Sequence, residues 1–209
     1  YHTTNIMGTY NVLEAARAKR ALGIIFSSSA AIYGSQEGML SEDAKPHPES
    51  PYATQKLIGE TLCESYAIQY DLPSIALRYF NVYGVGNHEE GSYAPVTARF
   101  LKAKREGKNL SIVGDGEQTR DFIHVKNIAQ VNVAAAKLLA PNYFEIINVA
   151  TGTGTKVIDI AHIVGGDIDH LPARTEPKHS LGNNKKLMTL IPNIELIPLT
   201  DGLREMLGK

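Results

Sequence analysis

Short apolar runs closed by small polar residues alternate with longer stretches whose apolar positions recur every three to four residues. That pattern predicts alternating strands and helices, hence an α/β chain with a parallel sheet. Ile24, Ile25 and Phe26 make one apolar run, and Ser27, Ser28 and Ser29 close it, so residues 23–28 read as a buried strand with Ser29 at its functional end. Ile6, Tyr10, Leu13 and Ala16 place a helix over residues 5–18. A second helix follows Ser50-Pro51, where proline suits a first turn, with Leu57, Ile58, Thr61, Leu62 and Ser65 at helical spacing. Leu72-Pro73 breaks the chain before a strand from Ser74 to Phe80, which ends in Asn81-Val82-Tyr83-Gly84. Residues 110–125 read as two short strands around the turn Gly114-Asp115-Gly116, and residues 143–149 as another strand. Helices are expected over 95–105, 127–139, 157–164 and 200–207, the third capped by Thr155. The polar segments 37–49 and 86–93 read as connections.

Composition narrows the class. The 209 residues are 43% hydrophobic, enough for one good-sized core with room for a smaller lobe. A net charge of −1 gives no field that favours nucleic acid or an anionic membrane. The single cysteine, Cys63, excludes an internal disulfide, suits the reducing cytoplasm, and falls at an apolar helix position, so it reads as core. No apolar run approaches the ~20 residues of a membrane span, and no signal-peptide pattern is read.

Candidate chemistry sits at the strand ends, where open α/β sheets bind ligands. Tyr52 and Lys56 are four apart, one turn along one helix face, and Tyr52 follows Ser29 by 23 residues. A free phenol, with a pKa of ~10, is a poor base at neutral pH; a nearby ammonium favours its anion. Lowering such a pKa by ~3 units takes ~4 kcal/mol, which two close cations in a closed site supply. Such a phenolate takes a proton from a hydroxyl while hydride leaves the same carbon, and a serine can relay that proton or hold the oxygen. Taken alone, a Tyr-x-x-x-Lys pair is also an ordinary helix-surface pair.

The serine strand end, Tyr52-Ala53-Thr54-Gln55-Lys56, the block Arg78-Tyr79-Phe80-Asn81 and the Arg120-Asp121-Phe122 strand together resemble the extended short-chain dehydrogenase/reductases. Within them the chain is most similar to the nucleotide-sugar epimerases, such as those acting at C4 of UDP-glucose and UDP-N-acetylglucosamine. The resemblance implies the second half of a Rossmann-like doubly wound parallel sheet in residues 1–84, with crossover segments from about 120–150, and a smaller substrate lobe mainly in 85–209. It implies NAD as cofactor, a UDP-hexose substrate and catalysis by Ser29, Tyr52 and Lys56. Thr4, Ser27, Ser28, Tyr79 and Phe80 would lie against the cofactor together with Tyr52 and Lys56. For Thr4 a plain helix cap, and for Phe80 a core position, remain open. The substrate would meet Ser29, Asn81, a base-cupping strand at Ser111, Ile112 and Val113, and Arg120 on its diphosphate. The other reading of Arg120 is an ion pair with Asp121 or Asp115. Arg174 and Glu176 would hold diphosphate and ribose, and Ser180 would gate the sugar pocket. No metal is implied.

Two departures shape the expectation. Related dehydratases carry Asp-Glu after the catalytic hydroxyl and related decarboxylases a glutamate, whereas this chain has Ala30 and Ala31, which move no proton. Residues 1–9 open inside a family motif, and no Gly-rich turn of the Gly-x-x-Gly-x-x-Gly kind follows a strand, so the sheet is expected to lack its first strands. The family pairs two helices per subunit in a four-helix dimer interface; residues 5–18 and 52–70 are the candidates. The rivals are another enzyme of the family (an ADP-heptose epimerase, decarboxylase, dehydratase or reductase) and a sugar-nucleotide-binding piece without turnover.

Overall fold

The computed structural model describes residues 2–91, 94–173 and 178–208. A π-type turn, Thr3–Met7, runs into α1 (Gly8–Ala18), followed by β1 (Ile24–Ser29), a 3-10 turn (Ala30–Tyr33), β2 (Gly38–Leu40) and α2 (Pro51–Tyr70). Then come β3 (Ser74–Tyr79), β4 (Asn81–Tyr83), α3 (Val96–Arg105), β5 (Leu110–Val113), β6 (Thr119–His124) and α4 (Val125–Ala136). The remainder is β7 (Phe144–Val149), β8 (Gly154–Lys156), α5 (Val157–Val164), β9 (Ile168–Leu171), β10 (His179–Gly182), α6 (Lys185–Leu190) and α7 (Leu199–Met206).

The expected parallel sheet is present as β1-β3-β7. Its register puts Ser28, Arg78 and Asn148 in one row and Ser29, Tyr79 and Val149 in the next. Because side chains alternate across a strand, the two rows face opposite sides. β3 is buried almost throughout, as the centre of a parallel sheet requires, whereas β1 is an edge strand and only partly covered. The helices α1 and α2 pack beside β1, where Leu13, Cys63, Tyr66 and Leu72 form a small core. On the other side, Ile75, Leu77 and Ile147 join Val131 and Ala135 of α4, Leu187 and Ile194.

A second sheet runs β2-β10-β6-β4, with β8 antiparallel on β6, and β5 pairs with β9. Its core gathers Phe100 and Leu101 from α3, Leu110 and Ile112 from β5, Ile160 and Val164 from α5, and Leu203 from α7. The two strands around Gly114-Asp115-Gly116 therefore form as expected but do not pair with each other; each finds a partner distant in sequence. β2, although it precedes residue 84, belongs to this second sheet through β10. Thr155 is not a cap: it lies in β8 opposite Arg120, and the cap position of α5 falls to Lys156. Among the described residues no helix is long and apolar enough to cross a membrane.

Candidate active site

α2 starts where the sequence directs it. The Ser50 hydroxyl accepts the Ala53 N–H at 3.1 Å, Pro51 fills the first turn, and Tyr52 follows. The helix lies close on β1 because Gly59 carries no side chain; a Cβ there would stand 2.3 Å from the Phe26 ring. That contact brings the Lys56 ammonium to the strand end, where Nζ donates to the Ser27 carbonyl at 2.8 Å. Nζ also lies 5.3 Å from the centre of the Phe26 ring and 5.8 Å from that of Tyr52, within cation–π range. Burial pushes the pKa of Lys56 below the ordinary lysine value. Tyr52 stays 37% exposed. Ser29, two residues beyond the carbonyl that holds Lys56, turns its hydroxyl to accept the Ala31 N–H at 3.2 Å. An exposed phenol, a half-buried ammonium and a strand-end hydroxyl thus share one end of β1, a set able to move a proton.

One turn deeper the chemistry changes. Glu60 and Arg78 form a bidentate ion pair at 2.8 and 3.0 Å, with side chains 3% and 2% exposed. Ser28 donates its hydroxyl to Glu60 at 2.5 Å, Tyr33 accepts from Arg78 at 2.9 Å and donates to Asn148 at 2.7 Å. Burial disfavours the Arg78 charge, but the bonds to Glu60 and Tyr33 outweigh it and raise its pKa. This network corrects one expectation: Ser28 is buried and committed to Glu60, so its side chain does not face a ligand at the strand end. Arg78 could have been singled out, since a charge inside a buried apolar strand requires a partner. Glu60, four residues after Lys56, was the available one.

The other expected cofactor contacts divide. Thr4 is exposed on the N-terminal turn and does not cap it; the cap position is His2, with no side-chain bond. Ser27 is exposed, and its hydroxyl shares a 3.1 Å hydrogen bond with the phenol of Tyr79, which is bound in turn to Asn132. Phe80 is 5% exposed and packs with Tyr33, Leu40 and Ala150, as the core alternative expects.

A second constellation lines a cleft of about 350 Å³ between α3, β5 and β6. Asn81, Ser111, Ile112, Val113 and Arg120, all expected on the substrate, line it together, as do Arg99 and Gln118, which were not expected there. The Asn81 amide donates to the Asp121 carbonyl at 2.9 Å. The Arg120 guanidinium donates to the carbonyls of Thr119 and Lys178. The Asp121 carboxylate looks elsewhere: it accepts from Thr151, Gly152 and Gly182 and ties β6 to the loop after β7 and to β10. Ser180 is half-buried on β10, in register with Arg120. Arg174 and Glu176 lie outside the described residues. Cys63 is fully buried with its thiol pushed up to about 12, an inert core residue. His124 is also buried; its Nδ1 accepts the Lys126 N–H at 3.2 Å and so caps α4. No cluster of His, Cys, Asp or Glu fit to hold a metal occurs among the described residues.

The chain and its fold are similar to known proteins. Residues 1–150 match the NAD dependent epimerase/dehydratase family. The chain is 37% identical over 164 residues to a UDP-N-acetyl-alpha-D-glucosaminuronate decarboxylase of Bacillus cytotoxicus, covering 76% of this chain and 50% of the relative. It is 35% identical over 167 residues to a putative UDP-glucose 4-epimerase of Methanocaldococcus jannaschii, covering 78% of this chain and 53% of the relative. The UDP-N-acetylglucosamine 4-epimerase of Methanobrevibacter ruminantium, solved with UDP-N-acetylmuramic acid, superposes with a TM-score of 0.92 at 34% identity, over 100% of this chain and 69% of that one. The chain spans about half the length of the curated relatives it matches. With the parallel sheet, the tyrosine–lysine helix and the matched profile in agreement, this chain belongs to the NAD dependent epimerase/dehydratase family.

Proposed function

We propose that this chain carries the proton-transfer site and the nucleotide cleft of a NAD-dependent nucleotide-sugar epimerase acting at C4 of a UDP-hexose. The observation that carries this reading is the Lys56 ammonium on the Ser27 carbonyl with the Tyr52 ring beside it, at the end of the strand that Ser29 closes. The residues fit the reactive end of a nicotinamide cofactor: Lys56 offers donors to ribose hydroxyls, and Tyr52 is accessible. When bound, NAD supplies the acceptor and then the donor of hydride. Tyr52 takes the proton of the sugar hydroxyl and later returns it. Lys56 stabilises the charge on the phenol oxygen, and Ser29 holds or relays at the reacting oxygen. Ala30 and Ala31 follow Ser29 directly and offer no acid or base, which favours oxidation and re-reduction over water loss or decarboxylation.

In this reading the second sheet forms the substrate lobe, the cleft under α3 takes the nucleotide, and the enzyme works in the cytoplasm. The tyrosines and Ile68 exposed on α1 and α2 (Tyr10 42%, Ile68 71%, Tyr70 49%) support a homodimer through a four-helix face, which light scattering checks. The principal test is product analysis with UDP-glucose, UDP-N-acetylglucosamine and UDP-glucuronic acid, using a polypeptide that also supplies a Gly-rich nucleotide-binding half. The expected product is the C4 epimer. Release of carbon dioxide or water instead of an epimer would overturn the assignment.

A further inference from the structure

Helix α3 carries four basic residues, and three of them are engaged. Lys102 pairs with Glu90 at 2.7 Å and Arg105 with Glu89 at 2.5 Å, while Lys104 donates to the carbonyls of Val164 and Gly165. Among the described residues Arg99 alone of the four makes no side-chain hydrogen bond or ion pair, and it is the one that lines the cleft. Its placement follows from helical spacing. Thr97, Ala98, Phe100 and Leu101 are buried, which leaves Val96 and Arg99, three apart, on the cleft side. None of the described residues lining the cleft is acidic, and Arg120 faces the same space. Arg99 thus brings a second guanidinium to the cleft, a group whose planar fork suits phosphate oxygens.

From this placement we infer that Arg99 is a further anion-binding residue of the cleft, whose guanidinium takes phosphoryl oxygens of a nucleoside diphosphate. The inference rests on the nucleotide reading of this cleft. Arg99 and Arg120 grip the two phosphates from α3 and β6, and the apolar wall of Val96, Ile112 and Val157 holds the base end. Arginine suits the task because its planar fork meets phosphate oxygens in pairs.

The test is calorimetry on the 209-residue chain with UDP and with uridine, for the wild type, Arg99→Gln and Arg105→Gln. The last removes the same charge from the same helix outside the cleft. The expected result is a loss of UDP affinity of tenfold or more in Arg99→Gln, less than twofold in Arg105→Gln, and unchanged uridine binding in both. Arg99→Lys should recover part of the loss. Equal effects of the two glutamine variants on UDP would overturn the role of Arg99 and leave a general field effect. If the wild-type chain binds neither UDP nor uridine, the nucleotide reading of the cleft falls first, and the role of Arg99 with it.

Discussion

Tyr52, Lys56 and Glu60 stand at successive turns of one face of α2, yet the two ends of that face are built on opposite principles. At Glu60 the charge is sealed: its carboxylate meets both Arg78 and Ser28, and the network extends through Tyr33 to Asn148. At Tyr52 the polar group is exposed, and Lys56 holds one backbone carbonyl. A fully satisfied buried pair has one geometry, and removing either partner strands a charge. The deep end therefore fixes how α2 lies on β1, and the shallow end leaves an exposed phenol beside an ammonium, as the proposed proton transfer requires. The same helix carries a sealed ion pair and an exposed phenol because two turns take it from the sheet interior to the strand end.

The sharpest way to break this comparison is at the shallow end. In a polypeptide that also carries the nucleotide-binding half, Tyr52→Phe should cut kcat by about 10²–10⁴-fold with UDP-sugar affinity unchanged, as steady-state kinetics and calorimetry would show. Turnover at the wild-type rate would remove the role given to the phenol. At the deep end, Arg78→Met should cost about 3–5 kcal/mol in urea unfolding, since Glu60 is left buried without a countercharge. Pairing it with Glu60→Leu should recover most of that loss; no recovery would mean that the packing, not the charge, was at stake. Between the two ends, Gly59→Ala sets about 1 kcal/mol of helix propensity against overpacking on Phe26 of about 1–3 kcal/mol. A net destabilisation of about 1 kcal/mol is expected, and a stabilised variant would show that the close approach of α2 is not needed.

The smallest effect concerns a buried group without a countercharge in hydrogen-bond contact. His124 faces Glu205 at 3.8 Å, Lys126 and the ring of Tyr83, and burial lowers its pKa below 6.5. Between that lowered value and 6.5 the unfolded chain binds more protons than the folded one, so stability falls as the pH drops below 6.5. The slope contributed is at most about 1.4 kcal/mol per pH unit, and His124→Asn, which can still cap α4, should remove it from the pH profile of Tm. An unchanged slope would assign the pH dependence to another group.

Strand ends were legible because a parallel strand needs a continuous apolar run, and polar residues stop it. Ser29, Tyr52 and Lys56 could be picked out on spacing and residue type, and the strands 24–29, 74–79 and 144–149 formed close to their expected bounds. Ser28 and Phe80 point inward because adjacency in sequence is not adjacency of side chains. In a strand the neighbour of an outward residue points inward, so Ser28 went to Glu60 and Phe80 into the core. Arg99 drew no attention because nothing local tells a cation facing a cleft from one facing solvent.

The periodicity of the chain determined its α/β class, the start of α2 at Ser50-Pro51 and the one-turn spacing of Tyr52 and Lys56. These follow from dihedral preferences, capping and hydrophobic burial within a few residues. Only the tertiary structure decided that β5 pairs with β9, that β2 joins the second sheet, that Arg78 and Glu60 neutralise each other, and that Arg99 and Arg120 line one cleft. Those pairings join residues far apart in the chain, and their free energy depends on which groups lose water together, a property no local stretch of sequence contains.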